Sequence, residues 1–96
     1  MKSINIEQLK DEIQKGAVFV MYTTTWCPDC KMMKPVIKEL EQENKHVSFF
    51  EIDAEENEVF RKGNILKVPS FILHKDGKEK HLGYEYVPKE ILEKDL

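Results

Sequence analysis

Apolar positions change period several times along the chain, and each change marks an element. Ile6, Leu9 and Ile13 recur at helical spacing behind Asn5, a residue suited to an N-cap, and Gly16 closes the pattern. A first helix is therefore expected to run to about Lys15. Residues 17–22 (Ala-Val-Phe-Val-Met-Tyr) are apolar on both faces, as a central parallel strand buried between two layers must be. Helical spacing returns over residues 27–43, where Cys30, Met33, Ile37 and Leu40 form the apolar stripe. Residues 47–53 read as a second strand, and residues 57–63 as a short helix with Val59 and Phe60 turned inward.

The last third changes character. Residues 70–75 form a strand, Asp76-Gly77 supplies a two-residue turn that accepts positive φ, and residues 78–83 return antiparallel. Lys78, Glu79, Lys80 and His81 give that return strand a charged edge, which discourages further pairing. Pro88 can open a closing helix that packs through Ile91 and Leu92. The order is α-β-α-β-α-β-β-α, with room for a short strand at residues 2–4. It specifies an α/β sandwich built on βαβ units and finished by a hairpin.

Composition narrows the function. The chain has 96 residues, enough for one domain spanning residues 1–96 and for a small core. Fifteen Lys plus Arg against eighteen Asp plus Glu leave a net charge of −3, so no basic excess exists to neutralise nucleic-acid phosphates. The longest apolar run is too short to span a bilayer, and Met1 to Glu7 contains no apolar core of a secretory signal. A cytoplasmic location is expected.

The two cysteines lie within one four-residue segment, Cys27-Pro28-Asp29-Cys30. A bond between them would close too small a loop to stabilise the fold by much, so redox exchange or metal binding is the better use of the pair. The segment follows the most hydrophobic strand and opens the longest helix, where unpaired N–H groups and the helix dipole favour a thiolate. Cys27 is expected to be the exposed nucleophile and Cys30, one turn inside, the buried resolving thiol. Lys31, Lys34 and Lys38 precede Glu39, Glu41 and Glu43, the reverse of what the dipole favours. The lysines either assist an anionic sulfur or belong, with the glutamates, to a solvated face. Asp29 either exchanges protons with Cys30 or is simply a favourable first-turn acid. Pro35 either kinks the helix or marks its true start, leaving the cysteines in a loop. His46, His74 and His81 stand at no ligand spacing to the cysteines, so no metal site is expected. Trp26 fits either the core or a partner-docking surface, while Phe49, Phe50, Phe71 and the methionines read as packing.

A Cys-x-x-Cys beside a βαβ pattern is an established cue for the thioredoxin family. The resemblance here covers nearly the whole chain: Thr25-Trp26-Cys27-Pro28-Asp29-Cys30-Lys31-Met32 with Pro35, then Val68-Pro69-Ser70-Phe71, then Lys75-Asp76-Gly77-Lys78, and finally Gly83. It implies the thioredoxin fold, a central mixed β-sheet (βαβ unit plus β-hairpin) flanked by helices on both faces. It further implies a redox disulfide between Cys27 and Cys30 and a cis bond at Val68-Pro69. Trp26, Pro28, Val68, Pro69 and Gly83 would form the substrate-binding surface, holding an extended backbone by strand addition. The function implied is that of a thiol-disulfide oxidoreductase with no bound cofactor. Its electrons would come from NADPH through a separate thioredoxin reductase, a flavoenzyme, and it would act as a monomer on disulfides of proteins or small molecules.

The sequence departs from the family pattern in three places. Pro-Asp stands between the cysteines in place of the usual Gly-Pro. Met21 occupies the position of a buried aspartate, and Phe49 that of its lysine companion. Glutaredoxins, the neighbouring family, carry Cys-Pro-Tyr-Cys and a later Gly-Gly-Asp, where this chain has Gly83-Tyr84-Glu85. A glutaredoxin-like or small-disulfide (cystine, low-molecular-weight thiol) reductase is thus one alternative, and a non-catalytic binding module using the same groove is another.

Overall fold

The structure is a computed structural model that describes residues 1–59 and 65–96. Among these residues the chain runs β1 (Lys2–Ser3), α1 (Ile6–Glu12), β2 (Val18–Thr23), α2 (Pro28–Glu43), β3 (Ser48–Asp53), β4 (Ser70–Lys75), β5 (Lys78–Tyr84) and α3 (Lys89–Glu93). The strands form one mixed sheet in the order β1-β3-β2-β4-β5. β1 and β2 both pair parallel with β3, whereas β4 runs antiparallel to β2 and β5 antiparallel to β4. All six residues of β2 are buried, the consequence of a sheet covered on both faces.

Alternation along the strands divides the core in two. Phe19, Met21, Phe49, Phe71 and Leu73 face α2 and α3, where they pack with Cys30, Met33, Ile37, Leu40 and Leu92. Val18, Val20, Tyr22, Phe50, Ile52 and Ile72 face the other way, onto Leu9 of α1. Phe19 anchors the first layer, stacked on Phe49 at 4.9 Å and tilted against Phe71 at 6.0 Å. Helices therefore flank the sheet on both faces.

Caps and turns follow local chemistry. Asn5 caps α1 by accepting from the Gln8 N–H, and the Gln8 side chain accepts from the Asn5 N–H, a complete capping box. Asp76 (φ 54°) and Gly77 (φ 73°) both take positive φ, as the hairpin turn requires.

Several expectations are corrected. The α1 helix ends at Glu12, so Ile13 is its exposed C-cap and not part of the apolar face. In the five-residue α3, only Leu92 reaches the core and Ile91 stays half exposed, because a single turn presents one inward position. Residues 57–59 lie in turns, with Val59 buried, and the rest of the helix expected over residues 57–63 lies outside the described residues. The helix α2 runs unbroken through Pro35 from Pro28, so the cysteine segment is not in a loop. Glu39 and Glu43 are not merely solvated, since both pair with Lys89 at the start of α3, at 2.7 and 3.0 Å. That contact raises the pKa of the Lys89 ammonium, the Glu39 and Glu43 hydrogen bonds being the main causes.

Candidate active site

The site lies where β2 hands the chain to α2. Cys27 is the N-cap of α2 in extended backbone (φ −88°, ψ 109°), and its own N–H reaches back to the Thr24 carbonyl at 3.5 Å. Pro28 takes the first helical position, where the N–H it lacks would have had no helical partner. The N–H of Cys30 donates to Cys27 Sγ at 3.1 Å. A sulfur thus stands where a capping oxygen ordinarily does, at the positive end of a helix 16 residues long. Cys27 and Cys30 are joined as a disulfide, their Cα atoms 5.3 Å apart.

One expectation about exposure is corrected here. Cys27 is as enclosed as Cys30, at 3% and 1% relative exposure. In the disulfide state its sulfur is turned onto Cys30 and the end of the helix, so neither cysteine presents much surface to solvent. Asp29 is half-buried in the first turn. Trp26 is 63% exposed, which places it on the surface, and its indole N–H donates to the Glu55 carboxylate. Pro28 beside it is exposed.

The remaining residues expected at the site lie in the last third of the chain. The Val68–Pro69 peptide bond is cis. Val68 packs against both core layers, including the layer that holds Cys27, Cys30, Phe71 and Val87. The Pro69 carbonyl accepts from the Glu85 N–H at 2.7 Å, and Ser70 Oγ donates to the Lys67 carbonyl at 2.5 Å. Gly83 pairs with Phe71 next to a β-bulge that shifts the register of β5. Gly83 has φ 150°, and a Cβ there would come within 2.8 Å of Val87 Cγ2, so any other residue would be strained and would force Val87 to shift.

Met21 is fully buried in the layer that encloses the cysteines, and Phe49 stacks in the same layer, so apolar packing fills both positions. No group of three or more His, Cys, Asp or Glu able to hold a metal ion occurs among the described residues. Two features escaped the sequence reading. Glu55 gives no local signal of its contact with Trp26. Glu51 stands out only as a carboxylate inside the run Phe49-Phe50-Glu51-Ile52. Its side chain, 16% exposed, accepts from Thr23 Oγ1 at 3.2 Å and Ser3 Oγ at 3.3 Å and pairs with Lys34 Nζ at 2.9 Å.

Comparison with known proteins agrees with this geometry. The thioredoxin family model matches residues 1–96. A thioredoxin of Mycoplasmopsis pulmonis is 42% identical over 100 residues, covering 96% of this chain and 92% of that protein. A thioredoxin of Bacillus subtilis is 33% identical over 84 residues, covering 85% and 81% respectively. Among solved structures, oxidised mitochondrial thioredoxin 3 of Saccharomyces cerevisiae aligns with a TM-score of 0.80 at 26% identity, over 99% of this chain and 92% of that one. The chain belongs to the thioredoxin family, and it is a thiol-disulfide oxidoreductase. Such exchange stores its two electrons in the sulfur pair itself and needs no bound cofactor.

Proposed function

We propose that Cys27 is the nucleophile and Cys30 the resolving thiol of a single domain, residues 1–96, that reduces disulfides. The observation that carries this assignment is the Cys30 N–H directed at Cys27 Sγ at 3.1 Å, since the same donor would stabilise a Cys27 thiolate. The Cys27 thiolate attacks one sulfur of the substrate disulfide, forming a mixed disulfide and releasing the other sulfur as a thiolate. Cys30 then loses its proton and attacks Cys27 Sγ. The substrate's second sulfur leaves reduced, and the Cys27–Cys30 disulfide retains the oxidation. Asp29, half-buried one residue before Cys30, or water takes the Cys30 proton.

Trp26, Pro28, Val68, Pro69 and Gly83 form the substrate-binding surface. The exposure of Trp26 and Pro28 beside Cys27 supports it, because an extended backbone needs an accessible apolar ledge to lie on. The dithiol is restored by electrons from NADPH through a separate flavoenzyme of the thioredoxin-reductase type. The protein works as a monomer in the cytoplasm.

Reduction of insulin by dithiothreitol, followed by turbidity, tests the assignment. Wild type accelerates it and Cys27→Ser abolishes the acceleration, whereas Cys30→Ser accumulates a mixed disulfide visible by mass spectrometry. An inert wild type, or an active Cys27→Ser, overturns the reading. Oxidised protein supplied either with NADPH and a thioredoxin reductase or with glutathione identifies the electron donor, and the first is expected to regenerate it.

A further inference from the structure

Cys27, Cys30 and Lys34 are spaced i, i+3 and i+7, so they share one face of α2. Lys34 lies one turn beyond Cys30 on that face, its side chain 49% exposed. It is held against the sheet by Glu51, the parallel partner of Met21 on β3. Met21 in turn belongs to the layer that encloses both cysteines. Glu51 is fixed from four elements at once: its own strand, Ser3 of β1, Thr23 of β2 and Lys34 of α2.

We propose that Glu51 is a positioning residue for the dithiol. By neutralising and anchoring Lys34, it sets how much positive charge the thiols experience and hence the pH at which they ionise. This rests on reading Cys27 and Cys30 as the working pair. Other charges surround that pair: Asp29 and Lys31 on α2, Glu55 at Trp26, and the Lys67–Glu85 contact of 3.7 Å flanking Val68-Pro69. Lys31, Lys34 and Lys67 are all exposed, but Lys67 is answered by the exposed Glu85, whereas Lys34 is held by Glu51, whose side chain is only 16% exposed and less screened by water. From β2 and β4, the residues in the layer around the cysteines are Phe19, Met21, Phe71 and Leu73, which carry no charge.

The signs follow from Coulomb's law. Glu51→Gln leaves Lys34 positive with no counter-charge, which favours thiolate and lowers the apparent thiol pKa. Lys34→Met leaves the Glu51 carboxylate unanswered and raises it. The ion pair borders a solvent-open hollow of about 500 Å³ lined in part by Thr23, Thr24 and Thr25. Water there keeps the effective dielectric high, so each shift is expected to be roughly half a pH unit.

The test is the pH profile of iodoacetamide alkylation of Cys27 in fully reduced protein, a readout of ionisation that needs no substrate turnover. Opposite shifts for Glu51→Gln and Lys34→Met, a near wild-type profile for the double variant, and rescue by Lys34→Arg are expected. Shifts of the same sign, or profiles that coincide with wild type, overturn the proposal. If Glu51→Gln does not fold, Lys34→Met against Lys34→Arg still decides it. An inactive wild type with opposite shifts would sink the catalytic reading and leave this one standing.

Discussion

The sulfur of Cys27 does two jobs that usually fall to different atoms. It caps a helix, and it is bonded to the residue that would displace a substrate from it. Both follow from one spacing, because the residue whose N–H an N-cap receives is the third one on. Asp29 lies between these partners, where its carboxylate opposes a thiolate but can accept a proton. Asp29→Asn is therefore expected to lower the pH at which Cys27 ionises while slowing resolution of the mixed disulfide. With water as the fallback acceptor the loss falls at the low end for a general base, on the order of a hundredfold. Stopped-flow measurement of substrate release across pH 6 to 9 checks it, and an unchanged rate and profile would rule out proton transfer through Asp29. The Cys27–Cys30 bond and the cis Val68–Pro69 peptide were legible because a motif names those residues. The burial of Cys27 was not, because it depends on which way the sulfur turns once bonded.

At the scale of elements, α2 carries the site and also one side of a core layer. Its stripe of Cys30, Met33, Ile37 and Leu40 is the one that helical spacing predicts, and all four side chains are buried. Ile37→Ala would leave a cavity in a fully enclosed position and is expected to cost about 3 kcal/mol. Ile91→Ala, half exposed on α3, is expected to cost under about 1 kcal/mol. Urea unfolding of the two variants checks the contrast, and equal losses would contradict the burial. The strands and the Asp76-Gly77 turn were legible because period and turn chemistry are local. The C-terminal end of α1 and the outward face of α3 were not. Ile13 and Ile91 have the right residue type at the right spacing, and only the absence of a facing surface excludes them from the core.

At the scale of the whole molecule the described residues form a five-stranded sheet with two unlike faces, and long-range electrostatics belong to this scale. His74 pairs with Val18 on one side and Glu79 on the other. Its Nε2 is buried without a hydrogen-bond partner. Burial lowers its pKa below the usual 6.5, Glu79 opposing and His81 adding to the effect. Burial, aided by Glu79, likewise pushes the Tyr22 phenol up to about 12, so it stays neutral in the second core. A depressed histidine contributes stability above its unfolded pKa and loses it as pH falls toward the folded value, because the unfolded chain then binds the extra proton. Wild type is therefore expected to lose stability between pH 7 and 5 more steeply than His74→Gln, measured as urea midpoints. Parallel pH dependences would refute it.

The sequence by itself determined most of the elements, the α/β class, the dithiol and the family. Those are set by spacing over a few residues and by side-chain chemistry that acts locally. Only the tertiary structure decided that Lys34 answers Glu51, that Glu39 and Glu43 hold Lys89, and that Trp26 meets Glu55. Each of these contacts joins residues far apart in the chain whose meeting depends on strand order and register, and no local pattern encodes it.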